Sequence, residues 1–247
     1  MFTHAIDPVF LHLGPLEIRW YGLIYALGFV LTYFLFKYLA KKRNIVLEEG
    51  DLDTFMMYLI VGVVVGARLF EIIFYNPAYY FAYPLKMFAI WQGGLSFHGG
   101  LVGAFFATFF FCRKRGFPFF VFADLLVIPA ALALAFGRIG NFLNGELFGR
   151  VTSVPWAMKF QNAEGFRHPS QLYESFKNFI IFATLWFLKD SKHKPGFLFA
   201  LFLVLYGSLR FLVEFVRQPE IIILSLTMGQ WLSIPLIIVG VWLVIKK

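Results

Sequence analysis

The chain has 247 residues, of which 60% are hydrophobic and 15% charged, and its mean hydropathy is +0.74. Soluble globular proteins carry about 25% charged residues, so this composition excludes a water-facing fold and predicts lipid as the outer solvent. The net charge of +8 would suggest nucleic-acid binding in a soluble protein. Here the basic residues lie in short clusters between apolar runs, so we expect no nucleic-acid partner. The single cysteine, Cys112, excludes an internal disulfide.

Long apolar runs predict about seven membrane-spanning helices, since about 20 apolar residues cross the hydrocarbon core. The first run begins near Ile18, which favours a first span over a cleaved signal peptide. The third run is short, and an extension into the glycine-rich segment before it would complete a span. The fold class predicted is an all-α polytopic membrane protein, with residues 1–247 forming one transmembrane catalytic domain. The predicted spans are residues 18–38, 55–75, 97–111, 119–142, 172–188, 196–216 and 228–245.

The basic clusters predict the orientation of these spans. All of them fall on one side of an alternating chain of seven helices, and the positive-inside rule makes that side cytoplasmic. The N-terminus and the loops at about 76–96 and 145–171 are then expected to face outward, with the C-terminus inside. The clusters are Lys37, Lys41, Lys42 and Arg43; Arg113, Lys114 and Arg115; Lys189, Lys192 and Lys194; and Lys246 with Lys247.

The end of the fourth predicted span is unusually polar. Arg138 and Asn141 are three residues apart, so they share a helix face. Asn144 and Glu146 follow within the glycine-rich segment 137–150, whose glycines permit close backbone approach or a break in the helix. Packing of small residues with a snorkelling Arg138 is the structural alternative. The amides and the glutamate exceed what packing needs, which favours a functional site.

The sixth predicted span carries Tyr206, Arg210, Glu214 and Arg217, whose offsets of four, four and three place them on one helical face. Exposure of this stripe to lipid would be unfavourable, because a charged side chain at mid-bilayer costs about 2.5–3.5 kcal/mol of insertion free energy. An ion-pair ladder between Arg210 and Glu214 that joins two helices is the structural alternative, and it is compatible with a functional Arg210.

Other polar residues have less specific interpretations. Arg68 and Glu71, three apart in the second span, are interpreted as a structural pair. His98 lies between two glycine pairs at the outer start of the third span, where structural and catalytic roles are equally open. Tyr21 belongs to an aromatic cluster that would also suit membrane-interface anchoring. Asp124 is a charged residue within the fourth span.

Arginines, amides, a tyrosine and a histidine thus converge on the outer half of the predicted bundle. Arginine offers paired donors that suit a phosphate. The residues by themselves therefore predict a pocket for an anionic phospholipid headgroup, and leave open whether the lipid is bound or chemically altered.

Residues 137–150 resemble the signature of the bacterial prolipoprotein diacylglyceryl transferases. The resemblance covers nearly the whole chain, with its motifs in the same order. It implies an inner-membrane transferase, with its active site toward the periplasm, that moves the diacylglyceryl group of phosphatidylglycerol to the lipobox cysteine of a prolipoprotein signal peptide. It also implies that no cofactor or metal is needed. The other motifs are residues 20–23, 94–101 and 167–174, Tyr206-Gly207 with Arg210, and residues 214–215, 217–219 and 228–230.

The resemblance also implies roles for individual residues. Arg138 and Arg210 are expected to hold the phosphate and stabilise its developing charge, and His98 to act as general base. A free thiol has a pKa of about 8.5, so part of it is already ionised and a base gains little. We therefore rank the arginines ahead of His98. The implied substrate-binding residues are Tyr21, Asn141, Asn144, Glu146, Gly149, Tyr206, Glu214 and Arg217.

Three alternative functions are also compatible with the sequence. A phospholipid or organic-anion transporter also needs buried arginines, but it should show polar groups on both sides of the membrane. A membrane scaffold predicts that loss of Arg138 costs stability alone. A different lipid transferase with the same headgroup pocket would not need the cysteine of the acceptor peptide.

Overall fold

The computed structural model describes residues 2–13, 16–90, 93–219 and 222–246. Lys247 of the last basic cluster and residues 91–92 of the first loop predicted to face outward lie outside this range. Six short strands form three two-stranded sheets in the described residues: β1 (Phe2–Thr3) with β4 (Met158–Lys159), β2 (Val9–Leu13) with β3 (Leu16–Arg19), and β5 (Ile222–Ile223) with β6 (Leu226–Thr227). The α-helices are α1 (Trp20–Lys42), α2 (Asp51–Phe70), α3 (Pro77–Ala82), α4 (Phe97–Arg115), α5 (Phe119–Leu143), α6 (Ser170–Leu188), α7 (Phe197–Val213) and α8 (Met228–Lys246).

The described helices include a long one at each of the seven predicted spans. Within the described residues, four helices are long and apolar enough to cross a membrane: α1, α2 with the π-helical turn that extends it (Glu71–Tyr75), α5 and α8. Helix α7 is apolar but shorter. The chain is therefore mostly helical, with several candidate spans, while the count of seven and the orientation stay predictions.

The third predicted span extends in the opposite direction from the one expected. Helix α4 begins at Phe97 because Gly93 and Gly94 before it have φ angles of 86° and 70°, which a right-handed helix cannot contain. The Ser96 hydroxyl caps its first turn by accepting a hydrogen bond from the Gly99 amide at 3.4 Å. The helix continues to Arg115, so it is longer than predicted at its C-terminal end, where the basic residues lie.

The described chain divides into two compact units, residues 37–123 and residues 1–36 with 124–247. In the first unit, α2 and α4 pack through glycines. A Cβ atom on Gly66 would lie 2.9 Å from Gly103 Cα, and one on Gly62 would lie 2.8 Å from Ala107 Cβ. Such small residues let helix backbones approach closely where lipid surrounds the helices. The prediction of one catalytic domain is not tested by this division.

Arg68 does not form the structural pair with Glu71 that the sequence suggests. Its guanidinium donates to backbone carbonyl oxygens of the segment before α4, including those of Met87 at 2.9 Å and Gly93 at 2.6 Å. Glu71 instead accepts from the Asn76 amide at 2.7 Å. Arg68 is 6% exposed, and these bonds compensate for burying its charge.

In the second unit, α5 to α8 carry the candidate site, and Asp124 explains part of their arrangement. Its carboxylate accepts from the backbone amides of Gly196 at 2.7 Å and Phe199 at 2.8 Å. Gly196 immediately precedes α7 and Phe199 lies in its first turn, the region of a helix whose backbone amides are commonly capped by side chains. Asp124 thus caps α7 from α5, which accounts for a charge in an otherwise apolar span.

Candidate functional site

The end of α5 forms a continuous polar chain. Arg138 donates to Asn141 Oδ1 at 3.4 Å, and Asn141 Nδ2 donates to Glu146 Oε1 at 2.8 Å. Asn144 Nδ2 reaches the same oxygen at 3.5 Å. Helix α5 continues to Leu143, so its glycines do not break it. The predicted shared face of Arg138 and Asn141 is confirmed.

The backbone is strained next to Glu146, in the segment that follows α5. Leu147 has a φ of 56°, a left-handed conformation that is uncommon for a residue with a side chain. The start of α6 fixes this geometry, because the Ser170 hydroxyl donates to Leu147 O at 3.0 Å and Gln171 Nε2 donates to Glu146 O at 2.5 Å. Strain of this kind persists where surrounding contacts enforce it, as they do beside functional groups.

Glu174 is the anionic centre of the site. Arg210 Nη1 of α7 contacts its Oε1, while Lys177 Nζ lies 3.2 Å and Arg138 Nε 3.7 Å from its Oε2. The Glu174 side chain is 1% exposed and the cations are largely buried. One carboxylate therefore joins α5, α6 and α7.

A second carboxylate continues the chain of ion pairs. Glu214 Oε1 lies 2.5 Å from Arg210 Nη2 and 3.3 Å from Arg217 Nε. Its other oxygen accepts from the Thr227 hydroxyl at 2.7 Å. The predicted stripe and the Arg210–Glu214 pair are confirmed, although α7 itself ends at Val213 and Arg217 lies beyond it. The ladder also involves α5 and α6, which the stripe alone did not indicate.

Two tyrosines named by the sequence lie in this unit. The ring of Tyr206 has Lys177 Nζ 3.9 Å from its centroid, and the residue is 5% exposed. The Tyr21 hydroxyl donates to the Tyr25 hydroxyl at 2.9 Å. Tyr21 packs against α5 at Gly140, where an added Cβ would meet Tyr21 Cδ2 at an ordinary 3.4 Å.

Gly149 has a packing role in the structure. Its amide donates to His168 O at 2.8 Å, and a Cβ atom would lie 2.7 Å from His168 Cβ. Only glycine therefore allows the loop at 145–171 to pack this closely at residue 149. The substrate-binding role implied for Gly149 stays a prediction.

His98 belongs to the other compact unit. Its Nδ1 lies 3.2 Å from the Tyr75 hydroxyl, within the unit of residues 37–123. Its predicted role as general base stays a prediction.

The ion-paired cluster carries more positive than negative charge. Among the described residues, its ion pairs connect four cations (Arg138, Lys177, Arg210 and Arg217) with two carboxylates, Glu174 and Glu214. Even when Glu146 is counted as a third carboxylate, the net charge of the cluster is positive. Burial, and the Arg210 and Arg138 cations, lower the pKa of Arg217 to about 10, so it stays charged at neutral pH. Burying a net positive charge costs free energy unless an anion binds to it.

Two members of the cluster were missed by the sequence reasoning. Glu174 lies within a family motif but had no predicted role, and Lys177 was not predicted to be a site residue. The available signal was their spacing of three residues within an apolar helix, which places both on one face. Charges in such a helix need partners, so this face should have been predicted to point inward.

Comparison with known proteins decides the family. The model of the prolipoprotein diacylglyceryl transferase family matches residues 8–246. The chain belongs to this family. Relatives named phosphatidylglycerol–prolipoprotein diacylglyceryl transferase include one from Bordetella parapertussis, 46% identical over 95% of this chain and 93% of its own length. Those from Chromobacterium violaceum and Geobacter sulfurreducens are each 44% identical, covering 99% and 97% of this chain and 97% and 94% of their own lengths. The resemblance inferred from the motifs is confirmed.

Proposed function

We propose that this protein transfers the diacylglyceryl group of phosphatidylglycerol to the lipobox cysteine thiol of a prolipoprotein signal peptide. The cysteine sulfur attacks the glyceryl carbon that bears the phosphate. A C–S bond forms, the C–O bond to phosphate breaks, and glycerol phosphate leaves with the electron pair. The thiol proton passes to a base or to water. The products are a thioether-linked lipid and glycerol phosphate.

The observation that carries this proposal is the buried surplus of cations around Glu174 and Glu214. A phosphodiester brings one negative charge, which offsets that surplus. Charge on the phosphate grows as the C–O bond breaks, so fixed guanidinium groups stabilise the transition state more than the bound lipid. Arg138 and Arg210 are the proposed phosphate ligands, because the ion pairs that both form with Glu174 fix their positions.

The remaining predicted residues have supporting roles in the proposal. Asn141 and Asn144, which donate hydrogen bonds to Glu146, are proposed to bind headgroup hydroxyls together with Tyr21 and Tyr206. Glu146 and Glu214 orient the arginines, and Arg217 adds to the positive field. His98 is proposed as general base on the strength of the resemblance alone.

We also propose seven spans in the bacterial inner membrane, with the site toward the periplasm. The basic clusters support this orientation through the positive-inside rule. Single cysteines at Asn162 in the loop at 145–171 and at Lys192 test it, because the native Cys112 is buried and gives little background. An impermeant maleimide applied to intact spheroplasts should label the Asn162→Cys variant. It should label the Lys192→Cys variant only after permeabilisation, and the reverse pattern would overturn the orientation.

The transporter alternative finds no support in the relatives compared above, all of which are named as transferases. The direct test uses purified protein, phosphatidylglycerol and a lipobox peptide, and follows glycerol phosphate and the lipidated peptide. Release in equal amounts with lipidated peptide is expected. A peptide with serine in place of the cysteine should abolish both products, and release that persists with it would indicate a lipase or another transferase.

A further inference from the structure

The motif at 228–230 has no predicted role, and it lies at the start of α8. Thr227, the residue before it, is buried, as is Gln230. The Gln230 backbone amide donates to Thr227 Oγ1 at 3.2 Å, and Gln230 Oε1 accepts from the Thr227 backbone amide at 2.9 Å. This reciprocal pair is a capping box, which satisfies two backbone amides at the N-terminal end of a helix. The helix that Thr227 caps therefore fixes the position of its hydroxyl.

The Thr227 hydroxyl also contacts the Glu214 carboxylate. Its Oγ1 lies 2.7 Å from Glu214 Oε2. A carboxylate can only accept, and a hydroxyl has one proton, so Thr227 donates that proton to Glu214. Glu214 is buried against Gly229 at the N-terminal end of α8, where the helix dipole favours a negative charge. Thr227 thus holds one carboxylate oxygen and leaves the other to face the arginines.

Arg210 has a carboxylate at each of its two terminal nitrogens. Glu214 Oε1 lies 2.5 Å from Arg210 Nη2, and Glu174 contacts Arg210 Nη1. Because a guanidinium group is planar, carboxylates at both terminal nitrogens fix the orientation of its plane as well as its position. The hydrogen bond from Thr227 keeps Glu214 Oε1 turned toward Arg210, so it contributes to this orientation.

We propose that Thr227 is a positioning residue for the transfer reaction: its hydroxyl fixes Glu214, and Glu214 fixes the Arg210 guanidinium for the headgroup phosphate. This inference rests on the proposed function, since it assumes that Arg210 binds phosphatidylglycerol. Thr227 acts through Glu214 and does not contact the lipid. Loss of its hydroxyl lets the Arg210 guanidinium turn about its remaining contact with Glu174, which misplaces the donors that stabilise the leaving phosphate.

The test compares Thr227→Val with the wild-type protein, because valine keeps the branched shape and removes the hydroxyl. The readout is the steady-state rate of glycerol phosphate release at varied phosphatidylglycerol concentration. We expect kcat to fall about ten-fold, because a misplaced catalytic group costs rate. KM should stay within about three-fold of wild type, because the arginine acts mainly on the transition state. Thr227→Ser keeps the hydroxyl and should restore kcat to within about two-fold of wild type. If Thr227→Val does not fold, Thr227→Ala replaces it, since it lacks the same hydroxyl.

Gln230→Met is the matched control for stability. It removes the Gln230 side chain from the capping box but keeps the backbone amide that donates to Thr227, so Glu214 keeps its hydrogen bond. We expect a lower melting temperature, with kcat within about two-fold of wild type. If Gln230→Met loses as much kcat as Thr227→Val, the loss comes from an unstable start of α8 and the proposal is wrong.

A double variant tests whether Thr227 acts through Glu214. Once Glu214→Ala has removed the acceptor, adding Thr227→Val should lower kcat by less than about two-fold more. A further loss as large as that of Thr227→Val alone would mean that the hydroxyl acts on another group, and the proposal would be wrong. It would also be wrong if Thr227→Ser were as slow as Thr227→Val.

The wild-type protein separates failure of this inference from failure of the proposed function. Wild-type protein that does not lipidate the peptide would overturn the proposed function. Wild-type protein that lipidates the peptide, with Thr227→Val at the same kcat, would overturn only the role of Thr227.

Discussion

The Glu214 carboxylate lies directly against Gly229 at the start of α8. A Cβ atom on Gly229 would lie 2.5 Å from Glu214 Oε1, closer than real Cβ atoms approach an oxygen. Glu214 in turn contacts both Arg210 and Arg217. The glycine therefore sets the position of the carboxylate that holds the arginines.

Gly229→Ala should disturb activity more than folding. The added methyl displaces the end of the Glu214 side chain, and Arg210 moves with it. A misplacement of about 1 Å costs about 10²-fold in rate in well-organised sites. We expect a drop of that order in glycerol phosphate release, with a melting temperature close to that of the wild type. Unchanged release would show that the Glu214 position does not matter for turnover.

Glu174→Gln should destabilise the protein. The side chain is 1% exposed and faces three cations, so its loss leaves buried positive charges close together. Breaking a buried ion pair costs about 3–5 kcal/mol. Thermal unfolding in detergent should show a marked fall in melting temperature. Asp53→Asn, at an exposed carboxylate in α2, is the control and should melt as the wild type does. Equal melting of both variants would contradict the central position given to Glu174.

Gly103→Ala and Gly100→Ala form a matched pair on α4. A Cβ on Gly103 would overlap the Gly62 backbone, whereas one on Gly100 would meet Val63 Cγ1 at an ordinary 3.5 Å. We expect Gly103→Ala to cost about 3 kcal/mol through overpacking, and Gly100→Ala to cost little. Melting temperatures of the two variants test this. If they are equal, α2 and α4 do not pack as closely as described.

The fold was largely predictable, but the partners of its charges were not. Apolar runs identify helices because each helix satisfies its own backbone in lipid. The stripe from Tyr206 to Arg217 and the Arg138–Asn141 pair follow from helical spacing alone. By contrast, the Arg68 acceptors are backbone carbonyls 18 to 26 residues further along the chain, and carbonyls have no sequence signal. The predicted start of the third span agrees with the start of α4 at Phe97, but the extension was expected before it, because the sequence does not show the φ angles of Gly93 and Gly94.

Lys177 shows the same limit within the site. Its spacing from Glu174 is visible in the sequence, but the approach of both Lys177 and Arg138 to Glu174 Oε2 depends on how α5 and α6 pack. The sequence identified most of the polar residues that the structure brings together in the second unit. It could not indicate that Glu174 is their centre, because contacts between helices depend on the fold.

The stability of the protein should depend on pH through His168, in the loop at 145–171. Burial lowers the pKa of this half-buried histidine from its ordinary 6.5. Above pH 6.5 the histidine is neutral in both the folded and the unfolded chain. As the pH falls below 6.5 the unfolded chain takes up the proton first, so stability falls until the lower pKa of the folded protein is passed. The drop in melting temperature from pH 7.5 to 5.5 should therefore be smaller in His168→Gln than in the wild type. Identical drops in both proteins would mean that His168 does not contribute.

The most direct test of the account is the rate of glycerol phosphate release by Arg138→Ala. The claim is that buried arginines bind the phosphate and stabilise its leaving charge. Loss of one such donor typically costs about 10²–10³ in rate, and we expect a loss of that size in a variant shown to be folded. Arg19→Ala, at an exposed arginine paired with Glu17, is the control and should release glycerol phosphate at close to the wild-type rate. If folded Arg138→Ala also keeps the wild-type rate, the phosphate is bound elsewhere and the assignment of this cluster is wrong.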